Sequence, residues 1–582
     1  MAEYLSPGVY VEEFDSGANP MEGVGTSTAG FVGLAERGPI EGVPQLITNI
    51  ADFRRTYGGY LSENEFGNYR FLSYAVESFF VNGGARCFVM RVAPSDAKPA
   101  VGYAPSKDKA ALVVTAKNPG MWGNDLRVLF TAASKAKAQI LEVIATPDGK
   151  QYRAKNAAGF NPGDVVEYVD GTGKSIVNRV KSNQDNVLTF ENDFPDSIVD
   201  TNLLPTKVVT TSEVTMEVRY GDTTETYANA SFNIEAPNYI EKLTAKSDLI
   251  SVSVQAVDDK KDKKAAAVVK PIDQIGADAI GFSGGSNGSV SNISAADFIG
   301  EDNGAGKRTG IQAFLDNDVV SIMSVPGVTD PNVQLTLVAH CENLASRFAV
   351  LDIPQDAKKV QDVIAHRDIF DSEYAALYHP WLTVFDPLDK KNIAIPPSGA
   401  VMGIYARSDN TRGVHKAPAN EVVRACSGLD VQFNKGEQDI LNPKGINLIR
   451  SFPGQGIRVW GARTVSSNPK WKYVNVRRLF IFIEESIKAN TNWAVFEPND
   501  TALWVRVQRT ISVFLTNLWR NGSLMGSSPE EAFFVNIGRD TMSQDDIDNG
   551  RLICVIGVAP VKPAEFVIFR ITQKTSESAS AE

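Results

Sequence analysis

The stretch NYRFLSYAVESFFVNGGARCFVMRV, residues 68–92, contains a helix pattern followed directly by a strand pattern. Apolar side chains recur there at the three- and four-residue spacing of one helix face, at Phe71, Leu72, Ala75, Phe79 and Phe80. Gly83 and Gly84 then end the predicted helix, and CFVMRV follows as a short apolar strand. Because the strand-like AGFVGLAERG comes before it, the stretch predicts the strand, helix, strand order of an α/β layer.

The same alternation resumes after Pro271. VVSIMSVPG and FAVLDIP have the continuous apolar character of strands buried on both faces. Between and after them, QLTLVAHCENLASR and KKVQDVIAHRDIF have helical periodicity. We therefore predict one α/β domain built from residues 26–95 and 271–425.

The intervening residues, 96–270, have a different texture. Short Val- and Thr-rich runs alternate with turn residues, as in GDVVEYVDGTGKSIVNRV. This pattern predicts a β-rich inserted domain. Residues 426–562 mix strand patterns such as INLIRSF and RLICVIGVAP with helices over 474–489 and 500–521, which predicts an α+β C-terminal domain. The expected fold class is therefore multidomain, α/β plus α+β.

Both ends of the chain have the pattern of a strand on a tether, which predicts arms over 1–25 and 563–582. Near the start, Val9, Tyr10 and Val11 form a short strand pattern. Near the end, EFVIFRIT is apolar on both faces of a two-residue period, at Phe566, Val567, Ile568, Phe569 and Ile571. Such a strand needs cover on both faces and is an aggregation hazard unless it pairs inside a sheet. That sheet belongs either to its own domain or to a neighbouring molecule.

The composition is that of an average globular protein, with 43% hydrophobic and 22% charged residues over 582 positions. This length is too great for one core and indicates several domains. The net charge of −11 argues against a protein that neutralises phosphates, so no nucleic-acid partner is expected. The sequence shows neither a signal-peptide pattern nor a membrane-length apolar run, which predicts cytoplasmic folding without direct membrane insertion.

No motif for catalysis stands out. In GEDNGAGKRTG, a phosphate loop would need Gly where Glu301 stands and Ser or Thr where Arg308 stands. The four histidines form no HExxH pair, the four cysteines form no CxxC pair, and no GxSxG elbow is present. We predict no catalytic residue, no cofactor site and no metal site. Two rival interpretations are an α/β enzyme of unknown specificity and a surface-binding module that uses the inserted domain.

One charge pattern lies on the predicted helix over 500–521. Arg506, Arg509 and Arg520 share a face that differs from the apolar stripe of the same helix. Such a basic ridge is either a solvated surface or a docking face for an acidic partner.

Several motifs together resemble the contractile tail sheath family of phages, phage-like bacteriocins and related injection systems. The motifs are LSPGVYVEE at 5–13, FVGLAERGP at 31–39, PPSGAVMGIYARSDNTRGVHKAPAN at 396–420, INLIRSFPGQGIRVWGARTVSS at 446–467 and WKYVNVRRLFIFIEESI at 471–487. The last two lie in the predicted C-terminal domain and are the most specific, whereas residues 96–270 carry no family pattern.

The resemblance implies a structural subunit without enzymatic activity. It would polymerise helically around an inner tail tube, contract to drive that tube through a target envelope, and contact baseplate and tail terminator proteins. Each arm would add a strand to a sheet in a neighbouring subunit's C-terminal domain. That domain would lie next to the tube, with Arg506, Arg509 and Arg520 facing it, and the insertion would point outward. The expected location is a virion tail or phage-like particle, assembled in the bacterial cytoplasm.

Overall fold

The computed structural model describes residues 21–106, 111–147, 149–170, 172–195, 198–199, 208–255 and 268–570. Within these ranges the strands are numbered β1 to β27 and the helices α1 to α14 in chain order. The predicted arm residues Val9, Tyr10, Val11 and Ile571 lie outside the described residues.

A nine-stranded sheet forms the centre of the molecule. Its order is β2 (Gln45–Ile47), β3 (Cys87–Val92), β1 (Ala29–Leu34), β17 (Ile322–Ser324), β18 (Phe348–Asp352), β19 (Ala375–His379), β24 (Ile446–Phe452), β25 (Gly456–Val459) and β22 (Glu421–Val422). The strands from β3 to β24 run parallel, and antiparallel strands lie outside them at both edges. The predicted strand, helix, strand unit at the start of the chain is therefore confirmed.

Helices cover both faces of this sheet. Successive residues of β1 point to opposite sides, so that Phe31 enters one apolar core and Val32 the other. The helices on the Phe31 side are α1 (Ile50–Tyr57), α3 (Leu72–Asn82) and α9 (Ser398–Arg412). Those on the Val32 side are α2 (Glu63–Phe66), α6 (Ala295–Ile299), α7 (Pro331–Leu344), α8 (Val360–Arg367) and α10 (Lys435–Leu441). This double cover explains why the parallel strands are apolar along their whole length.

Helices α3 and α9 approach each other closely because two glycines of α9 face α3. A Cβ on Gly399 would lie 2.3 Å from the carbonyl oxygen of Ala75, and one on Gly403 would lie 2.4 Å from that of Phe79. Gly83 ends α3 in a left-handed conformation, as its position after the predicted helix indicates.

The insertion contains a closed six-stranded barrel and two smaller sheets. The barrel strands are β7 (Lys137–Thr146), β8 (Gly149–Ala154), β9 (Val165–Val169), β10 (Ser175–Gln184), β11 (Val187–Phe190) and β12 (Val208–Thr211). The other strands are β4 (Val101–Ala104), β5 (Leu112–Ala116) and β15 (Ile250–Val254) in one sheet, and β6 (Arg127–Ala133), β13 (Glu213–Tyr220), β14 (Thr223–Ala230) and β16 (Ile280–Gly281) in the other. Two short helices, α4 (Ile240–Thr244) and α5 (Pro271–Ile275), pack against these sheets.

The insertion extends beyond the boundary predicted at residue 271. Strand β16 pairs with β6, and Ile275, Ile280 and Phe282 are buried in the insertion's own core. The α/β layers resume only after these residues. The apolar positions from 272 to 282 find their partners on strands far earlier in the chain, which the local pattern does not reveal.

The boundary predicted at residue 426 also differs from the structure. The run INLIRSF forms β24, which pairs in parallel with β19 and so belongs to the central sheet. Likewise β23 (Gly428–Leu429) joins β20 (Leu382–Asp386) and β21 (Lys391–Ile395) in a small sheet. Strand pairing, which is not local in sequence, decides which sheet receives a strand.

Beyond the central sheet, the chain forms a helical pair and a two-stranded sheet. These elements are α11 (Val474–Asn490), α12 (Thr501–Arg520), α13 (Pro529–Ala532), β26 (Phe533–Ile537), α14 (Gln544–Asp548) and β27 (Cys554–Val558). Both long helices confirm the sequence prediction, and Asp500 caps α12 by accepting a hydrogen bond from the backbone N–H of Leu503. The stripe Leu503, Val507, Ile511, Phe514 and Leu518 is buried as its spacing predicts.

Candidate assembly interface

The predicted C-terminal arm leaves the body of the molecule at Glu565. From Phe566 to Phe569 the side chains are 68–83% exposed, and the backbone up to Arg570 forms no regular secondary structure. Contiguous exposed apolar side chains of this kind are typical of a binding segment. The segment has the strand-forming sequence that the pattern predicted, but no strand partner for it lies among the described residues.

Glu565 is fixed by a dense set of contacts. Arg463, whose side chain is 7% exposed, donates two hydrogen bonds to its carboxylate at 2.7 and 2.6 Å. Asn442 and Tyr473 donate further hydrogen bonds at 2.9 and 3.0 Å. Burial alone raises the pKa of Glu565, but the hydrogen bonds from Arg463 and Asn442 and the guanidinium charge outweigh it and lower this pKa to about 2.

The first described residues run along α11. The backbone N–H of Glu22 donates to Asn490, and the Asn490 amide donates back to the Glu22 carbonyl at 2.8 Å. Two residues later, the backbone N–H of Val24 donates to the Ser486 hydroxyl at 3.1 Å. The segment before β1 is therefore bonded to the C-terminal region of the chain.

A buried ion pair holds Thr26, two residues further along this segment. Arg478 on α11 and Asp409 on α9 are 3% and 4% exposed, and two N–H groups of Arg478 donate to the Asp409 carboxylate. The Thr26 hydroxyl donates to Asp409 at 2.7 Å, and Arg478 donates to the Thr26 carbonyl at 2.9 Å. The guanidinium also lies 4.7 Å from the ring centroid of Tyr405. Three distant parts of the chain meet at this pair.

The two-stranded sheet β26–β27 has no third strand among the described residues. Its strands pair only with each other there, over Phe533–Ile537 and Cys554–Val558. Helix α12 packs on β26, and its Gln508 donates to the Val535 carbonyl at 2.7 Å, which occupies part of the β26 edge and leaves the β27 edge for a further strand. Two strands alone are marginally stable in water, so this sheet is suited to receive further strands.

The predicted basic ridge lies on the exposed face of α12, together with Val505 and Val513, which are 56% and 47% exposed. Arg506 is not free, because it pairs with Glu497 at 2.9 Å and lies 4.3 Å from the ring centroid of Trp493. Arg509 and Arg520 have no charged partner among the described residues. Of the three arginines, Arg506, the nearest to the N-terminus of α12, is therefore ion-paired, and Arg509 and Arg520 have no ion pair among the described residues.

The sequence did not predict the root of each arm, by which we mean the described residues that join the arm to the folded domains. At the C-terminal root Glu565 is bound by Arg463, and at the N-terminal root Thr26 is bound by the pair Asp409–Arg478. One available signal was the Arg477–Arg478 pair inside the apolar helix motif VNVRRLFIFI, because buried arginines require partners. Nothing in the sequence identifies the partners of Arg478, since Asp409 and Thr26 lie 69 and 452 positions away.

Three histidines, the glycine-rich loop near Lys307 and the four cysteines have the side-chain chemistry or the sequence that enzymes often use. Burial lowers the pKa of His340, His366 and His379 to about 4 in each case, which keeps these rings neutral near neutral pH. In the glycine-rich loop, Arg308 pairs with Asp302 and Asp316 and closes the loop on itself. Among the described residues, no cluster of His, Cys, Asp or Glu has the geometry of a metal site. Cys87 and Cys341 are buried, while Cys426 and Cys554 are partly buried, and all four thiols are free.

Across the described parts of the chain, no helix combines the length and the apolar character needed to cross a bilayer.

The described structure combines an exposed strand-forming segment with a two-stranded sheet that has no third strand among the described residues. These are features of a protein that assembles through its surfaces. Two family models match consecutive parts of the chain, the phage tail sheath protein central domain over residues 301–465 and the phage tail sheath C-terminal domain over 466–574. The chain belongs to the phage tail sheath protein family and is a structural subunit of a contractile sheath. The boundary between the two models follows β25, which agrees with the central sheet extending through that strand.

Individual relatives carry the same description. The tail sheath protein of Escherichia phage P2 is 26% identical over 299 residues, which cover 49% of this chain and 72% of that protein. The tail sheath protein of Burkholderia phage BcepMu is 26% identical over 259 residues, covering 40% of this chain and 53% of that protein.

Solved structures share the fold. The sheath complex of an extracellular contractile injection system, PVC, in its contracted state aligns with a TM-score of 0.52 at 22% identity, over 99% of this chain and 100% of that chain. A sheath tail protein from Listeria innocua aligns with a TM-score of 0.52 at 9% identity, over 93% and 96% of the two chains. At these identities the likeness concerns the fold.

Proposed function

We propose that this subunit polymerises into a helical sheath around an inner tail tube, and that strands exchanged between neighbouring subunits hold the sheath together while it contracts. The observation that carries the proposal is the exposed apolar segment Phe566–Phe569 on a chain that also presents the open sheet β26–β27. A donor strand without a partner and an acceptor sheet without a third strand complement each other when they belong to different copies.

The chemistry of strand addition suits this task. Backbone hydrogen bonds fix the register of the added strand, and its side chains alternate between the two faces of the receiving sheet. Because the donor and the acceptor are different surfaces of one subunit, the contact is heterologous and repeats from copy to copy. Such a contact builds an open helix rather than a closed dimer, which is the geometry that a sheath needs.

Contraction follows from a difference in packing energy between two helical arrangements. Each subunit needs to favour the contracted packing by only a modest free energy, because the preferences of many subunits add. Extended connections let the rigid domains reorient without separating. This mechanism requires no nucleotide.

The sheath would work as part of a virion tail or phage-like particle. Its partners would be further copies of itself, the inner tube protein, and baseplate and tail terminator proteins at the two ends. Assembly would take place in the bacterial cytoplasm. In this arrangement the C-terminal domain lies next to the tube, and the barrel-containing insertion points outward.

Electron microscopy of the purified chain, alone and with its tube protein, tests the proposed function. We expect long helical tubes with the tube protein inside, and we expect protease treatment of those tubes to cut first within residues 96–282. Dispersed monomers in every sample would contradict the sheath assembly, and full protection of the insertion would contradict its outward position.

The unpaired arginines of α12 are expected to contact an acidic surface of the tube. Charge reversal by Arg509→Glu and Arg520→Glu should weaken co-assembly with the tube protein by about 10-fold at low salt, because it replaces attraction by repulsion. The effect should shrink as salt screens the charges. Co-sedimentation at several salt concentrations measures it, with the exposed pair Lys488→Glu and Lys470→Glu as a control of equal charge change. Unchanged co-assembly of the α12 variant at every salt concentration would remove these residues from the interface.

A further inference from the structure

Helix α11 is contacted by both arm roots, at Glu565 and at Glu22. At its N-terminal end, the N-cap residue Tyr473 donates a hydrogen bond to Glu565, the last fixed residue before the exposed segment. At its C-terminal end, Asn490 exchanges two hydrogen bonds with the backbone of Glu22. The two arm roots therefore lie at opposite ends of one helix.

The N-terminal root follows the helix in an ordered way. Every second residue of this segment bonds to α11, in the pairs Glu22 with Asn490, Val24 with Ser486 and Thr26 with Arg478. The chain direction is opposite to that of the helix, since residue numbers rise along one as they fall along the other. A two-residue repeat is the spacing of an extended segment that presents the same edge to its support.

At Gly23, near the start of this segment, the backbone packs closely on a side chain of the helix. A Cβ on Gly23 would lie 2.5 Å from a ring carbon of Phe482, so the ring packs directly on the backbone. The segment is thus held by hydrogen bonds, by ring packing and by the buried pair Asp409–Arg478.

Helix α11 is itself fixed to the central domain by the charged contacts of two adjacent arginines, Arg477 with Glu373 next to β19 and Arg478 with Asp409. Arg477, which is 4% exposed, also pairs with Glu484 about two turns along the same helix. Seventeen residues of α-helix span about 25 Å, and its backbone hydrogen bonds run parallel to the axis. An element of this kind resists extension far better than a loop does.

We propose that α11 couples the two arms mechanically, so that tension entering through one arm is passed along this helix to the other arm. The inference rests on the proposed function, because it takes the arms to be joined to neighbouring subunits. It identifies Asn490 and Glu565 as positioning residues that fix where each arm leaves. The partners are two other copies of this chain, one at each end of the helix.

Hydrogen exchange of the monomeric full-length chain, followed by mass spectrometry, tests the N-terminal root without any assembly. Residues 22–24 should exchange slowly, because the amides of Glu22 and Val24 donate to side chains of α11, and 566–570 should exchange quickly. Asn490→Ala should accelerate exchange of 22–24 by about 10-fold, because it removes the acceptor of the Glu22 amide, whereas Glu565→Gln acts at the other root and should leave 22–24 unchanged. Lys488→Ala, exposed on the same helix, is the matched control and should also leave 22–24 unchanged. Exchange of 22–24 as fast as that of 566–570 in the wild type would overturn the inference.

Shearing of assembled tubes then tests the coupling. Tubes of Asn490→Ala and of Glu565→Gln should form and should break to about half the wild-type length or less under graded sonication, whereas Lys488→Ala tubes should match the wild type. Tubes that form and break equally in all four proteins would overturn the coupling and leave the proposed function intact. Failure of the wild-type chain to form tubes would instead overturn the proposed function, and with it the coupling.

Discussion

A chain that ends at Glu565 is expected to fold normally and to form no sheath tubes. It lacks the apolar segment that begins at Phe566, which is exposed in the single subunit and has no partner there. The position of the cut matters. A cut after Lys562 would also remove Glu565 and leave Arg463 buried without its carboxylate, so that lost stability and lost assembly would be confounded.

Negative-stain electron microscopy with the tube protein measures this effect, and circular dichroism confirms that the shortened chain is folded. We expect tubes from the full chain and none from the chain that ends at Glu565. The matched control ends at Thr572 and removes only the polar residues after the predicted strand, so it should still assemble. Tubes from the chain that ends at Glu565 would show that strand addition by this segment is not needed.

Asp409→Asn is expected to destabilise the protein by about 3–5 kcal/mol. Asp409 and Arg478 are almost completely buried, and the substitution leaves the arginine charge without compensation. The substitution also alters the carboxylate that accepts a hydrogen bond from the Thr26 hydroxyl. Because Asp409 lies on α9 and Arg478 on α11, the N-terminal root and both helices are affected together. Few single substitutions have so large an effect.

Urea unfolding followed by tryptophan fluorescence measures this loss, taken at the transition that includes the C-terminal domain because a multidomain chain need not unfold in one step. The control is Glu497→Gln, in the same domain, which breaks a pair with Arg506 whose two side chains are each 45% exposed. An exposed pair of this kind contributes no more than about 1 kcal/mol. Equal losses in the two variants would contradict the assigned role of the buried pair.

The described fold suits a machine that stores energy in the packing of its subunits. In a contractile assembly the work comes from packing differences between subunits, and a subunit then needs stiff domains and durable connections. The structure provides stiffness through the doubly covered central sheet and through α11. It offers connections through the exposed segment after Glu565 and the β27 edge of the sheet β26–β27.

The sequence alone determined the elements whose cause is local. Helix α3 ends where Gly83 allows the left-handed turn, α12 begins where Asp500 caps it, and its buried stripe repeats at helical spacing. The strand expected after Glu565 stays a prediction, because the residues described there form no regular secondary structure and a strand needs a partner that the local pattern does not supply.

The tertiary structure alone decided what depends on partners distant in the chain. Pairing of β24 with β19 placed a predicted C-terminal strand in the central sheet, and β16 extended the insertion beyond residue 271. The same holds for the arm roots, since neither Arg463 nor Glu565 carries any local sign of the other. Hydrogen-bond registers and buried ion pairs form between surfaces that only folding brings together, and a local pattern records the need for a partner without identifying it.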